Sequence, residues 1–376
     1  MIRVLIIGAG FGGLTAAGEI LKRVKSSFEV IVIDKKETSD FLPLLPDCIG
    51  RGINPDFLTF RIKDASRRMG FRFFQDEVVS VDLERKVVFA KNDSFEYDLL
   101  LIASGSETNF YGNQNVKDNA LALDSVSDVK RLIAVLRQGG LKNFIIGGAG
   151  YTGIELATNV RVYLNKTSQD AKVIIVERAP NILGPLPEWM RRYVETNLET
   201  LKVDFFCGST IEKIEGRRVY VSGGRIFDNA LVIWSAGVKT ADFIQDMEVE
   251  KNPQGRIKVD EYLRIRQDCF VIGDAALVAY QAGYLRMAVQ FAIMQGRCAA
   301  LNIINTQKKI PLRKFVPRDL GYVLPMANSN SCGMVFGVNL KGFLPTFLHF
   351  VMCIYRSYGL RNKLGLLRDL CKGKVA

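Results

Sequence analysis

A single histidine, His349, stands in 376 residues, which excludes any metal site built from several imidazoles. The seven cysteines, Cys48, Cys207, Cys269, Cys298, Cys332, Cys353 and Cys371, form no CxxC pair. That scatter fits reduced thiols and argues against zinc and against a disulfide framework, so no metal is expected. No apolar run is long enough to span a bilayer. The start of the chain does not read as an export signal, because the apolar stretch after Arg3 ends in glycine at Gly8. Positive charge, by contrast, is in excess. The net charge is +12, which would suit nucleic acid or an anionic membrane, so its location decides. From Lys341 onward seven basic residues stand against one acid, Asp369, which places half the net charge on the last tenth of the chain.

With 48% hydrophobic residues, the chain can bury sizeable cores, and two or three domains are expected. The pattern repeats itself. Val4-Leu5-Ile6-Ile7 reads as a buried strand. It leads into Gly8-Ala9-Gly10-Phe11-Gly12-Gly13, a helical pattern through Leu14, Ala17, Leu21 and Val24, and a strand ending at Asp34. About 140 residues later the same order returns: Phe144-Ile145-Ile146, Gly147-Gly148-Ala149-Gly150-Tyr151-Thr152-Gly153, a helix, and a strand ending at Glu177. Two such units predict an α/β protein with two parallel-sheet, Rossmann-like domains. Alternating stretches at 78–88 and 211–226 predict hairpins, the second with a Ser222-Gly223-Gly224 turn. Strands closing on small residues follow at Ala103-Ser104-Gly105, Ser235-Ala236-Gly237 and Gly273-Asp274, and a long helix is expected over 284–305.

Gly8, Gly10 and Gly13 have GxGxxG spacing. The first glycine permits a tight turn, the second lets the backbone approach a pyrophosphate, and the third lets helix pack on strand. Phosphate would meet free N–H groups at the positive end of the helix dipole. Asp34 is placed to bind a ribose diol. Gly148, Gly150 and Gly153 repeat the arrangement with Glu177 as the acid. A carboxylate there repels a 2′-phosphate, which favours NADH over NADPH; Arg178 beside it works the other way.

In this context the chain resembles the two-dinucleotide-binding-domain flavoproteins, and among them most closely the type II NADH dehydrogenases (NADH:quinone oxidoreductases). The resemblance spans essentially the whole chain. Phe41-Leu42-Pro43-Leu44-Leu45-Pro46, Gly153-Ile154-Glu155-Leu156-Ala157, Trp234-Ser235-Ala236-Gly237-Val238 and Gly273-Asp274 are similar to the family's segments. It implies FAD on the first glycine turn, Gly12 included, with Gly105 and Asp274 completing that site, and NAD(H) on the second turn with Gly237. It also implies a carboxylate near the flavin at Glu155, which as a helix-start acid has an equal claim to a purely structural role. The implied domains are 1–110 with 255–334 for FAD, 111–254 for NAD(H), and a C-terminal amphipathic segment, 335–376.

Lys341-Gly342-Phe343, His349, Tyr355 and Gly359-Leu360-Arg361-Asn362-Lys363-Leu364 are similar to the membrane-binding end of that family. Phe347, Phe350, Val351, Ile354 and Tyr358 form one helical stripe, which Leu360, Leu364, Leu367 and Cys371 continue, with cations beside them. Such a face suits an interfacial helix; a packing helix or a homodimer face is its other use. The expected place is therefore peripheral, on the cytoplasmic face of the cell membrane, with quinone as the electron acceptor. The family's quinone segment, AQxAxQxG, reads here Val289-Gln290-Phe291-Ala292-Ile293-Met294-Gln295-Gly296. Gln290 is kept as a quinone residue, with His349 as a second candidate. Met294 takes the place of the second glutamine, and Gln295, one residue late, is rotated by about 100°. Sulfide:quinone oxidoreductase is the nearest rival, but its chemistry needs two flavin-facing cysteines, and Cys332 has no evident partner. An NAD-sensing flavoprotein without turnover is a second rival. Nucleic-acid binding is not expected, because the charge sits on an aromatic amphipathic end and not along a groove.

Overall fold

The computed structural model describes residues 1–24 and 27–372; the last residues of the C-terminal segment, 373–376, lie outside them. The chain forms two compact units, one of residues 1–39, 60–107 and 238–318, the other of 40–59, 108–237 and 319–376.

In the first unit six strands lie in the order Arg264–Arg266, Cys269–Val271, Leu99–Ile102, Ile2–Ile7, Phe28–Asp34 and Arg72–Gln75. All pair in parallel except the edge hairpin Arg264–Arg266 with Cys269–Val271. Val4 to Ile7 are fully or almost fully buried, as a strand covered by helices on both faces requires. Ile2–Ile7 lies between Phe28–Asp34 and Leu99–Ile102, so strand order reverses at its carboxyl end. That crevice is where open α/β sheets bind ligands. The helix Phe11–Val24 follows, and the helix Val289–Lys308 packs on it so closely that a Cβ on Gly296 would meet Gly12 O at 2.6 Å. The helix expected over 284–305 begins later, at Val289, because the chain before it is extended. Gly283–Tyr284 pairs with Ala279–Tyr280, and Gln281 turns between them at φ +52°. The expected hairpin at 78–88 forms, with a third strand at Ser94–Glu96.

In the second unit five parallel strands run Leu121–Ala122, Ala230–Trp234, Asn143–Gly147, Lys172–Val176 and Val203–Phe206. Asn143–Gly147 occupies the same switch-point position as its counterpart. Beside this sheet, Ile211–Glu215, Arg218–Val221 and Arg225–Phe227 form a meander whose apolar residues join one core with Val116 and Trp234. Gly223 and Gly224 both take positive φ between its last two strands, the conformation a two-residue hairpin turn demands.

A further three-stranded antiparallel sheet, Gly321–Leu324, Ser331–Val335 and Val338–Gly342, leads into the helices Phe343–Arg356 and Leu360–Lys372. Ser357 is extended and Gly359 has φ +80°, so the first helix ends and the chain turns into the second. The predicted stripe is corrected at two places: Tyr358 lies past the end of the first helix, in the turn before the second, and Phe350 is not on the outward face. Phe350 faces inward with Cys353, and the outward ridge is Phe343, Phe347, Val351 and Tyr355, spaced four apart. The second helix buries Asn362 and Asp369 while exposing Leu360, Leu364 and Leu367. Among the described residues no helix is long and apolar enough to cross a membrane.

Candidate active site

Each glycine turn is built by close contact. In the first unit Gly8 has φ +104°, and a Cβ there would lie 2.3 Å from Ala103 O. A Cβ on Gly13 would lie 1.9 Å from Gly8 O, and one on Gly12 would reach Ile272 at 3.0 Å. Gly10, by contrast, has nothing within 4 Å of that position. Helix and strand are thus locked together by two glycines while the backbone between them stays open, which is what a pyrophosphate needs. Asp34 stands at the end of the second strand. Its Oδ2 accepts the Ala9 N–H at 2.7 Å and its Oδ1 the Lys36 N–H at 2.9 Å, leaving lone pairs for ribose hydroxyls.

Around the same crevice lie Gly105 at φ +70°, open on its Cβ side, and Gly273 at φ +69°. Ser104 Oγ, next to Gly105, is buried without a hydrogen-bond partner. A buried orphan of this kind calls for a polar ligand. Asp274 accepts a hydrogen bond from Ser106 Oγ at 2.9 Å. Burial pushes its pKa up, against the opposing pull of that bond and of Arg256. Arg256 is itself buried, donating to Ala276 O at 2.7 Å and Leu285 O at 3.0 Å. Gln295 is also buried and accepts the Gly273 N–H at 2.6 Å. It holds the Gly273-Asp274 turn and is not available in place of the absent second glutamine. Gln290 is half-buried in the first turn of the helix Val289–Lys308. The fit is to a dinucleotide with hydroxyl groups near Asp34 and Asp274.

The second unit repeats the device. Gly148 has φ +102° and a Cβ there would lie 2.8 Å from Ala236 Cα, a Cβ on Gly153 would meet Gly148 O at 1.9 Å, and Gly150 is open. Glu177 accepts the Ala149 N–H at 2.6 Å and the Ala179 N–H at 2.7 Å. Gly148, Ala149, Gly150 and Glu177 line a cavity of about 730 Å³ together with Arg178, Ser235 and Gly237, a volume suited to a cofactor half; Gly153 lies beneath it, against Gly148. Gly237 has φ +73°, and a Cβ there would strike the Tyr111 hydroxyl at 2.0 Å. The Arg178 guanidinium lies 4.9 Å over the Tyr111 ring. Tyr111 was not expected from the sequence, since an isolated tyrosine in a loop carries no spacing signal.

Glu155 lies in the second turn of the helix Tyr151–Lys166. It is half-buried, and burial raises its pKa to about 8, with His349 pulling it down and Asp47 pushing it up. The sequence did not point to Asp47, although Asp47 and Arg51 are a helix pair four apart. Asp47 is buried, takes a salt bridge from Arg51 Nε at 3.0 Å, and faces His349 Nε2 at 3.7 Å. His349 also approaches Cys353 Sγ at 3.7 Å and meets the Phe350 ring edge-on. Burial disfavours its cation, but Cys353 and Asp47 outweigh that and hold its pKa well above the usual histidine value.

Among the described residues no group of three or more His, Cys, Asp or Glu side chains could hold a metal. Cys332 is fully buried, and burial pushes its thiol up to about 12; such a thiol is a poor nucleophile.

The fold is shared widely. NDH2 from Plasmodium falciparum, solved in complex with NADH, superposes with a TM-score of 0.86 over 99% of this chain and 98% of that one, at 17% identity. The sulfide:quinone oxidoreductase of Aquifex aeolicus gives 0.80 over 100% and 93%, at 15% identity. In sequence, the type II NADH:quinone oxidoreductase of Staphylococcus saprophyticus is 26% identical, across 93% of this chain and 94% of its own length. Residues 2–296, which hold both glycine cradles and the Gly273-Asp274 turn, match the model of the pyridine nucleotide-disulphide oxidoreductases, and the chain belongs to that family.

Proposed function

We propose that this chain is an FAD-dependent NADH:quinone oxidoreductase that does not pump protons. The observation that carries the reading is the duplicated cradle, in which an acid at a strand end accepts an N–H of each glycine turn while the middle glycine stays open. The relatives named type II NADH:quinone oxidoreductase match the chain almost end to end. Gly8, Gly10, Gly12, Gly13, Asp34, Gly105, Gly273 and Asp274 are assigned to FAD, and Gly148, Gly150, Gly153, Glu177 and Gly237 to NAD(H). The corresponding domains are 1–110 with 255–334, and 111–254. Bound flavin supplies acceptance of hydride and its release as single electrons or pairs.

Reduction of a quinone to its quinol takes two electrons and two protons, and NADH brings only one proton with its hydride. The chain must therefore deliver a proton from solution. Glu155 is assigned that task, since a carboxyl with a pKa near the working pH both holds and yields a proton. His349 is assigned to act through Asp47 and Glu155. Gln290 is assigned to the quinone-facing side.

The segment 335–376 is assigned to the surface of the membrane on its cytoplasmic face. An outward ridge of Phe343, Phe347, Val351 and Tyr355, followed by Leu360, Leu364 and Leu367 with cations beside them, supports this. A homodimer through the same face would instead appear as a concentration-dependent change of mass. Anaerobic titration of the purified yellow protein tests the catalytic reading. NADH should bleach the flavin, and a water-soluble quinone should restore the colour. Flavin that NADH leaves oxidised would reject the reading in favour of a nucleotide sensor.

A further inference from the structure

The second unit contains a cavity that neither glycine cradle uses. It measures about 530 Å³ and lies between the helix Val126–Gln138, the loop 52–55 and the end of the helix Leu360–Lys372. Four cations line it, Lys130, Arg137, Arg368 and Lys372, against one acid, Asp369. Asp369 is already occupied: it accepts the Asn54 N–H at 3.0 Å and a bond from Arg368 at 3.2 Å. Lys130 pairs with Asp56 at 2.5 Å. Arg137 and Lys372 have no ion-pair partner among the described residues, so the cavity keeps two uncompensated positive charges.

One side of this cavity merges with an apolar ridge. Leu360, Leu364, Arg368 and Lys372 are spaced four apart on one helix and so share a face. The first two are 72% and 56% exposed, and the last two reach the cavity. A ligand that satisfies both must be anionic at one end and apolar at the other.

We propose that this cavity binds the headgroup of an anionic phospholipid, whose acyl chains lie along Leu364 and Leu360. The inference rests on the membrane reading given above and goes further, since it replaces a diffuse attraction between a basic tail and a charged surface with a built site. That site includes Arg137, a residue far from the tail in sequence.

The test is co-sedimentation of the full flavin-loaded chain with vesicles of phosphatidylcholine alone and of phosphatidylcholine with about one part in four phosphatidylglycerol. Arg137→Gln and Lys372→Gln should each weaken binding to the anionic vesicles about fivefold and leave binding to neutral vesicles unchanged. Arg131→Gln, on the same helix but off the cavity and beside Asp128 at 3.9 Å, should change neither by as much as about twofold. Flavin absorbance checks that each variant is folded. Equal losses for Arg131→Gln and Arg137→Gln would overturn the site in favour of diffuse charge. Displacement by inorganic phosphate at constant ionic strength would overturn the lipid assignment. Wild-type protein that binds both vesicles equally would remove the headgroup site and leave the membrane reading standing, whereas protein that binds neither would remove both.

Discussion

His349 Nε2 lies 3.7 Å from Asp47 Oδ2, and the two side chains are only 11% and 4% exposed. Buried charges persist when they are paired, and removing one partner of such a pair costs about 3–5 kcal/mol. Here Arg51 neutralises Asp47 from a second direction. The two side chains bias Glu155 in opposite senses: His349 pulls its pKa down and Asp47 pushes it up.

That arrangement fixes the sign of a pH effect. Glu155, with a pKa raised to about 8, is a protonated donor below that value and loses the proton above it. Quinone reduction at saturating NADH should therefore fall as pH rises through about 8, with flavin reduction by NADH much less affected. Glu155→Gln should remove this limb and slow quinone reduction by about a hundredfold. His349→Gln should move the limb to higher pH, because it deletes the positive charge that holds the Glu155 pKa down. Stopped-flow traces that separate the two half-reactions read both effects. A limb that stays in place in the Glu155→Gln enzyme would exclude the carboxyl as the donor.

The cradles predict two different kinds of glycine failure. Alanine at Gly13 places a methyl 1.9 Å from Gly8 O, so the turn must open and packing suffers by about 1–3 kcal/mol. Alanine at Gly10 meets nothing within 4 Å, so the bare fold is spared while the methyl stands where the pyrophosphate approaches. Gly13→Ala should lower both melting temperature and flavin content. Gly10→Ala should purify with weak or absent yellow colour, and its melting temperature should match that of flavin-stripped wild type. Differential scanning fluorimetry beside visible absorbance distinguishes the two.

Much of this was legible from residue order. Apolar runs ending in glycine, a helical pattern and a strand closing on an acid place Asp34 and Glu177 correctly at the turns, because each step is local and each has its own spacing. The hairpin turn at Gly223-Gly224 was readable for the same reason. What escaped was long-range. Asp47, Arg256 and Tyr111 have no motif, and their roles follow from what folds against them. Gln295 illustrates the limit: its rotation from the expected glutamine position was readable, but its bond to Gly273 was not. The inward turn of Phe350 was hidden too, because a helix apolar on two sides does not declare which one faces solvent.

Glu177 should set the choice of nicotinamide nucleotide. Its carboxylate spans the Ala149 and Ala179 N–H groups at the cavity wall, where a 2′-phosphate would meet like charge. Arg178, next in sequence, is held over the Tyr111 ring at 4.9 Å and supplies a cation once the acid is gone. Glu177→Ser should narrow the ratio of kcat/KM for NADH over NADPH by about tenfold or more, the equivalent of 1.4 kcal/mol. Tyr111→Ala in that background should undo part of the gain in NADPH use by releasing Arg178. A ratio that does not move in Glu177→Ser would mean that the 2′ position points away from this wall.

The outward apolar ridge yields the most direct test of where the chain works. Phe347 and Leu364 are 52% and 56% exposed, so charging them costs the fold little. Burying either in a bilayer surface is worth about 1.5–3 kcal/mol. Phe347→Glu and Leu364→Glu should therefore each reduce vesicle partition by about tenfold or more. NADH oxidation with a water-soluble quinone should stay at the wild-type rate, since neither residue belongs to a nucleotide cradle. With a long-tailed quinone held in vesicles, turnover should fall in step with partition. Variants that lose activity equally with both quinones would place the two residues at the reaction site and not at the membrane.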